Sequence, residues 1–299
     1  MNLVFLGTSA AQPTEKRGLP CICLERDGEI LMFDAGEAAQ ISYMKSGLGW
    51  NKKMKLFVTH LHGDHCVGIL GLLQTMSMQN RTEVLEIFGP SGIEEFIAAN
   101  VKVLNFGLSF PVLINIIKEG KVFENEKYSI HACKANHSVV AFSYMFEEKD
   151  KPGRFNVENA KEFGIPEGEL WNKLQNGNQI VINEKTITPK QILGEKRRGK
   201  KIGISGDTMP TSELEKFFDG CDYLVFDSTF LEEENQKALD TCHSTAKQAA
   251  TLGKNANVKN LILTHFSARY KDEVEHLTEA KKVHDSVVTA RDLLEIEIK

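Results

Sequence analysis

One run of seven residues limits this chain most: Thr59-His60-Leu61-His62-Gly63-Asp64-His65. It follows the apolar stretch KLFV and precedes GILGLLQTMSMQ, which has helical spacing. A buried strand therefore runs into the histidines and a helix leads away from them. His60 and His62 are two apart, so in an extended segment they point to one side. Gly63 permits a sharp turn that brings Asp64 and His65 round to the same space. Three imidazoles and one carboxylate so close together suit a metal of the Zn²⁺ type, bound through nitrogen and oxygen. An oxygen-only Mg²⁺ site is disfavoured by the number of imidazoles.

The rest of the chain supplies matching elements. NLVFLGTS, CICLE and EILMFDAG read as strands broken by Gly or Asp, and EAAQISYMKSG reads as a helix ending at Gly. LEIFGP reads as a strand, and SGIEEFIAANVKVL as a helix that Ser91 could cap. PVLINII, KVFENEKYSIHACKANH and VAFSYMFEE read as further strands. KKIGISGDT, DYLVFDSTF and LILTHFSARY are strands interleaved with the helices TSELEKFF, HSTAKQAATLGK and KDEVEHLTEAKKVHDS. Alternating strands and helices put the chain in the α/β class. No apolar run reaches the roughly 18 residues of a membrane span. The first residues read as a strand rather than a leader, so the mature chain is expected to begin at Met1. Six cysteines without a CxxC pair point to buried, reduced thiols and a cytoplasmic setting.

One loop cannot close two metal sites, so more ligands are expected at other strand ends. Three positions qualify: His137 after YSIHACKAN, Asp207 at the end of KIGISGD, and His265 at the end of NLILTH. An α/β sheet presents its functional loops at such ends. Each position alone would more often be a turn residue. With the first loop they give a dinuclear set. His60, His62 and His137 would hold one metal, Asp64, His65 and His265 the other, and Asp207 would bridge them.

The net charge of −5 argues against a chain that coats nucleic acid by charge alone. The charge is unevenly spread. Residues Lys149 to Lys201 carry twelve basic and seven acidic side chains, a net of +5, which leaves −10 for the remainder. This segment contains KPGRFN, GIPEGEL and KQILGEKRRGKK and reads as an insertion with some local structure of its own. It is too long for a bare loop.

THLHGDH, followed by His, Asp and His at strand ends, resembles the metallo-β-lactamase superfamily. FLGTSAAQPTEKRG, LMFDAGEAAQ, KPGRFN, GIPEGEL, SGDT, HSTAKQAA and LTHFSARY, in that order, resemble the ribonuclease Z family within it. The likeness runs from about Asn2 to Tyr270. It implies a single domain over residues 1–299, an αββα four-layer sandwich with an inserted flexible arm at about 149–190. It implies two Zn²⁺ per subunit, with Mn²⁺ or Fe²⁺ as possible substitutes, and a metal-activated hydroxide. The reaction would be hydrolysis of one phosphodiester at the 3′ end of precursor tRNA, removing the trailer and leaving a 3′-hydroxyl. Asp64 would accept the proton of the attacking water. His243, in TCHSTAKQ, would protonate the leaving oxygen, and Asp227, in FDSTF, would hold its ring. The family more often has Glu then Ala-Thr at that place, so Asp227 is shorter by one methylene. The arm would grip the tRNA away from the site and, in a homodimer, serve the partner's site.

Three histidines remain. His276 and His284 are expected on the surface of the last helix, and His131 half-buried in a strand. Two other readings keep the residues but change the role. One is a hydrolase for a small phosphodiester, sulfate ester or lactam. The other is a binding module with a structural metal, which a closed four-coordinate site would favour.

Overall fold

The computed structural model describes Met1–Lys299. The chain divides into two compact units, one of residues Met1–Glu124, Ile130–Phe146 and Lys201–Lys299, the other of Asn125–Ser129 and Glu147–Lys200. The larger unit is built on two seven-stranded sheets. In spatial order the first contains Glu295–Glu297, Asn2–Gly7, Cys21–Arg26, Glu29–Phe33, Lys53–Phe57, Leu85–Gly89 and Val112–Ile116. The second contains Val287–Thr289, Leu261–Thr264, Tyr223–Asp227, Lys201–Ile204, Phe142–Glu148, Tyr128–Lys134 and Gly120–Glu124.

Each sheet carries a run of four parallel strands. In the first these run from Glu29–Phe33 to Val112–Ile116. In the second they are Lys201–Ile204, Tyr223–Asp227, Leu261–Thr264 and Val287–Thr289. Parallel strands need crossover helices and are covered on both faces, so their sequences are almost continuously apolar. The helix Gly68–Met78 shows how the cover is made. It buries Ile69, Leu72, Leu73 and Met76, one stripe at helical spacing, against the first sheet. Against the second sheet, Ala246–Asn255 buries Ala246, Ala249, Ala250 and Leu252, small side chains that let the helix lie close. Its start is fixed by a capping box between Thr245 and Gln248.

The sheets face one another through aromatic rings. Phe57 stacks on Phe33 at 5.4 Å and on Phe88 at 4.9 Å, and Tyr144 of the second sheet meets the Phe57 ring at 5.5 Å. Each fully buried ring contributes roughly 2–3 kcal/mol. The order helix, sheet, sheet, helix is the expected αββα sandwich. No helix is long and apolar enough to cross a membrane.

The expected elements form, and others join them, among them the helix Asn235–Thr241 and the strand Val287–Thr289. Gly92, at φ 101°, holds the cap position of the helix Ile93–Leu104, and no side chain caps it, so Ser91 does not. The C-terminal residues Glu295–Glu297 pair with Asn2–Val4 and complete the first sheet. All six cysteines are free thiols, and all but the half-buried Cys242 are buried.

The smaller unit has its own core of Ala160, Ile165, Leu174, Ile180, Ile187 and Ile192, flanked by Phe155 and Trp171. Asn156 caps the helix Val157–Glu162 by accepting from the Asn159 N–H at 3.0 Å. The strands Ile180–Ile182 and Lys185–Ile187 form a hairpin through Asn183 and Glu184, both left-handed, the backbone a two-residue hairpin turn requires.

Candidate metal centre

The parallel strands end where the histidines begin. Lys53–Phe57 leads through Val58 and Thr59 into His60. Its neighbour Glu29–Phe33 delivers Asp34, which accepts from the Thr59 N–H at 2.7 Å and from the Thr59 hydroxyl at 2.8 Å. In the second sheet, Leu261–Thr264 delivers His265 beside Asp227, and Lys201–Ile204 delivers Asp207. Gly206 makes the last step possible. Its φ is +61°, and a Cβ there would lie 2.9 Å from the Thr59 side chain. Asp207 can thus turn in toward the first histidine loop.

The seven positions expected as ligands come together in two groups that share Asp207. In one, donor atoms of His60, His62, His137 and Asp207 all lie within 4.8 Å of one another. His62 Nδ1 is 3.1 Å from His60 Nε2 and 3.1 Å from His137 Nε2, and Asp207 Oδ2 is 3.6 Å from His60 Nε2. In the other, the donors belong to Asp64, His65, Asp207 and His265. Asp207 Oδ1 lies 3.1 Å from His65 Nε2 and 3.2 Å from His265 Nε2, and Asp64 Oδ2 lies 3.7 Å from each of these nitrogens.

Ring hydrogen bonds explain why the nitrogens face inward. The Nδ1–H groups of His60 and His65 donate to the Thr59 hydroxyl at 2.9 Å and to Asp34 at 2.7 Å. That of His137 donates to the Cys242 carbonyl at 3.0 Å. Anchoring one ring nitrogen fixes the other as a free acceptor. Several ring nitrogens and carboxylate oxygens then converge in a buried space. His65 Nε2, His265 Nε2 and Asp207 Oδ1 are buried without any hydrogen-bond partner. Leaving such atoms unsatisfied costs about 1–3 kcal/mol each. A cation removes that cost. A tetrahedral zinc centre has bonds of about 2.0–2.1 Å and hence ligand-to-ligand edges near 3.3 Å. The donor set and its spacing fit two such ions.

Electrostatics agree. Burial and the neighbouring His65 push the His60 imidazole down to about 2, so it stays neutral and able to bind metal. Burial also opposes charge on His65, but Asp207 and Asp34 outweigh it and hold that ring well above the usual range. Burial likewise opposes charge on Asp207, yet the His265 and His65 imidazoles hold its carboxyl well below the usual range. A metal entering here must displace the His65 proton.

Beside the second group stand His243 and Asp227. The His243 Nδ1–H donates to Asp227 Oδ2 at 2.8 Å, and its Nε2 is 4.0 Å from Asp207 Oδ2. Asp227 is fully buried and also accepts from the backbone N–H groups of Thr208, at 3.1 Å, and Thr229, at 2.9 Å. Burial works against a charged His243, but Asp227 more than compensates and raises the ring to about 9.

Four contributors have no role in the sequence reading: Ala11, Asp34, Thr59 and Thr229. Asp34 carried the same signal as Asp207, an acid closing an apolar strand. Ala11 carried none. Its backbone is left-handed, and its N–H donates to Asp64 Oδ2 at 2.9 Å. Two expectations are corrected. His276 is fully buried, with Phe266 and Tyr270 edge-on against its ring at 5.0 and 4.6 Å. His284 is also buried; its Nε2–H donates to the Val258 carbonyl at 2.9 Å. His131 is half-buried, as expected.

Fold and centre together define a metallo-β-lactamase-type protein. The crystal structure of the metallo-β-lactamase fold protein YhfI from Bacillus subtilis superposes with a TM-score of 0.69 over 99% of this chain and 98% of that one, at 16% identity. A family model described as anti-Pycsar protein Apyc1 matches residues 1–150, a span that stops short of Asp207 and His265. A ribonuclease Z of Nitrosopumilus maritimus is 84% identical over 299 residues, all of both chains. Human tRNase Z, short form, superposes with a TM-score of 0.72 at 27% identity, again over the whole of both chains. This chain belongs to the ribonuclease Z family.

Proposed function

We propose that this protein is a zinc-dependent endoribonuclease that removes the 3′ trailer from precursor tRNA and leaves a 3′-hydroxyl on the tRNA. The observation that carries this reading is the pair of donor groups sharing Asp207, with the His243–Asp227 pair at their edge. His60, His62, His137 and Asp207 would hold one ion, and Asp64, His65, His265 and Asp207 the other. Bound there, two Zn²⁺ ions, or Mn²⁺ or Fe²⁺ in their place, supply an acidified water and neutralise charge on the phosphate.

The protein's own groups do the rest. Asp64 accepts the proton of the attacking water, and the Ala11 N–H keeps its carboxylate turned toward the centre. As the water oxygen bonds to phosphorus, the bond from phosphorus to the 3′ oxygen breaks. That oxygen takes a proton from His243 Nε2, while Asp227 holds the ring and stabilises its charge. The smaller unit contributes Lys and Arg side chains that contact phosphates and position the RNA without reading its sequence. We take the active form to be a cytoplasmic homodimer.

His243→Ala tests the acid. Cleavage of a precursor tRNA should slow by about 10²–10⁴-fold with metal content near normal. The parent enzyme should lose activity as pH rises through about 9, because His243 gives up its proton there. The variant should lack that loss. Depleted metal in the variant would make His243 a ligand instead.

A further inference from the structure

We propose that the Thr229 hydroxyl is a positioning group that ties the metal-facing ring of His265 to the acid pair His243–Asp227. The inference deepens the reading of the centre given above and rests on it.

Thr229 lies two residues beyond Asp227 and is 4% exposed. Its hydroxyl has three polar atoms in reach: Asp227 Oδ1 at 2.7 Å, His265 Nδ1 at 2.9 Å and His243 Nδ1 at 3.3 Å. A hydroxyl has one proton to give and can accept twice. A buried carboxylate can only accept, so the proton goes to Asp227. The His243 Nδ1–H is already committed to the other oxygen of Asp227, at 2.8 Å. His265 must therefore donate its Nδ1–H to Thr229. That leaves His265 Nε2 as the bare nitrogen, and this atom is buried without a partner beside Asp64 and Asp207.

One oxygen thus serves two groups of different function. It sets the tautomer of a candidate ligand and, with the Thr229 N–H, clamps the carboxylate that holds the acid. Without it, the His265 Nδ1–H is buried with no acceptor, and the ring gains by moving that proton to Nε2. The nitrogen facing the metal would then be blocked.

The other half of the molecule repeats the device. Thr59 donates to Asp34 at 2.8 Å and accepts from His60 Nδ1 at 2.9 Å, while His65 donates to the same carboxylate at 2.7 Å. There both rings are candidate ligands. At Thr229 the pair joins His265, read as a ligand, to His243, read as the acid. The arrangement makes metal uptake and proton donation depend on one hydroxyl.

The test titrates the metal-free full-length protein with Zn²⁺ alone, in competition with a chromophoric chelator. The parent, Thr229→Val and Thr229→Ser are compared. The parent should take up two equivalents. T229V should bind one of them about 10–100-fold more weakly and the other unchanged. T229S should restore both. With precursor tRNA, kcat should fall in T229V while KM stays, and T229S should recover it. If T229V does not fold, Thr229→Ala against T229S makes the same comparison, because the two differ only by the hydroxyl. Parent uptake of two equivalents with T229V or T229A unchanged overturns the inference alone. T229S binding as weakly as T229V also overturns it, since the hydroxyl would then not be the cause. A parent that takes up no zinc overturns the reading of the centre itself, and this inference with it.

Discussion

Asp64→Ala should cut precursor tRNA cleavage by at least about 10²–10⁴-fold, the range for removing a group that moves a proton in the transition state. Binding of the same tRNA, measured by filter retention, should change by less than about twofold. The split follows from position. Asp64 Oδ2 lies 3.7 Å from both His65 Nε2 and His265 Nε2, inside the centre, whereas the segment of net positive charge is residues 149–201. One substitution therefore removes chemistry and leaves phosphate contacts in place. Retained turnover would sink the role given to this carboxylate. Lost tRNA binding would mean that Asp64 acts in holding RNA.

The reciprocal experiment removes most of the smaller unit, with six of the twelve basic side chains of residues 149–201, and keeps the chemistry. Lys151 and Arg197 face one another as an antiparallel bridge, each N–H donating to the other's carbonyl at 2.9 Å. Pro152–Lys196 can therefore be replaced by a two-residue Asn-Gly turn, which suits an antiparallel pair. Cleavage of precursor tRNA should fall on the order of 10²-fold or more, because the RNA loses the contacts that place its phosphodiester. Hydrolysis of bis(p-nitrophenyl) phosphate should stay within about twofold, since its good leaving groups need little positioning. Its dependence on salt should be flat. Precursor cleavage that survives the replacement would favour the hydrolase of small esters.

Much of this was legible in the sequence because the signals are local. Apolar runs ending in His or Asp mark the C-terminal ends of parallel strands. His60, His62, Asp64, His65, Asp207 and His265 follow that rule, His137 follows a strand outside the parallel runs, and all seven come together. The family likeness added His243 and Asp227, which also lie side by side. What stayed hidden depends on contacts far apart in the chain. Asp34 meets His65 across 31 positions, and Thr229 meets His265 across 36. A threonine gives no sign of which of its single donor and two acceptor sites will be used. The Ala11 N–H is a backbone group, so residue type says nothing about it.

His276 shows a different limit. On the helix Val274–Lys281 the charged residues suggested a wet face for it. The helix instead buries His276 and Ala280, four apart, and leaves Val274 64% exposed. A neutral imidazole can pack as an aromatic ring, and Phe266 and Tyr270 offer it edges to pack on. Hydropathy ranks the two residues the other way round.

A paired metal centre and an acid histidine should together cut precursor tRNA at the trailer. The most direct measurement incubates the purified full-length protein with a 3′-extended tRNA labelled at its 5′ end, with and without chelator, and maps the product end. A single cut at the trailer junction, a 3′-hydroxyl product, loss of activity with chelator and recovery on adding Zn²⁺ are predicted. Cleavage that persists after chelation and dialysis, or an intact precursor in the presence of Zn²⁺, would contradict the account.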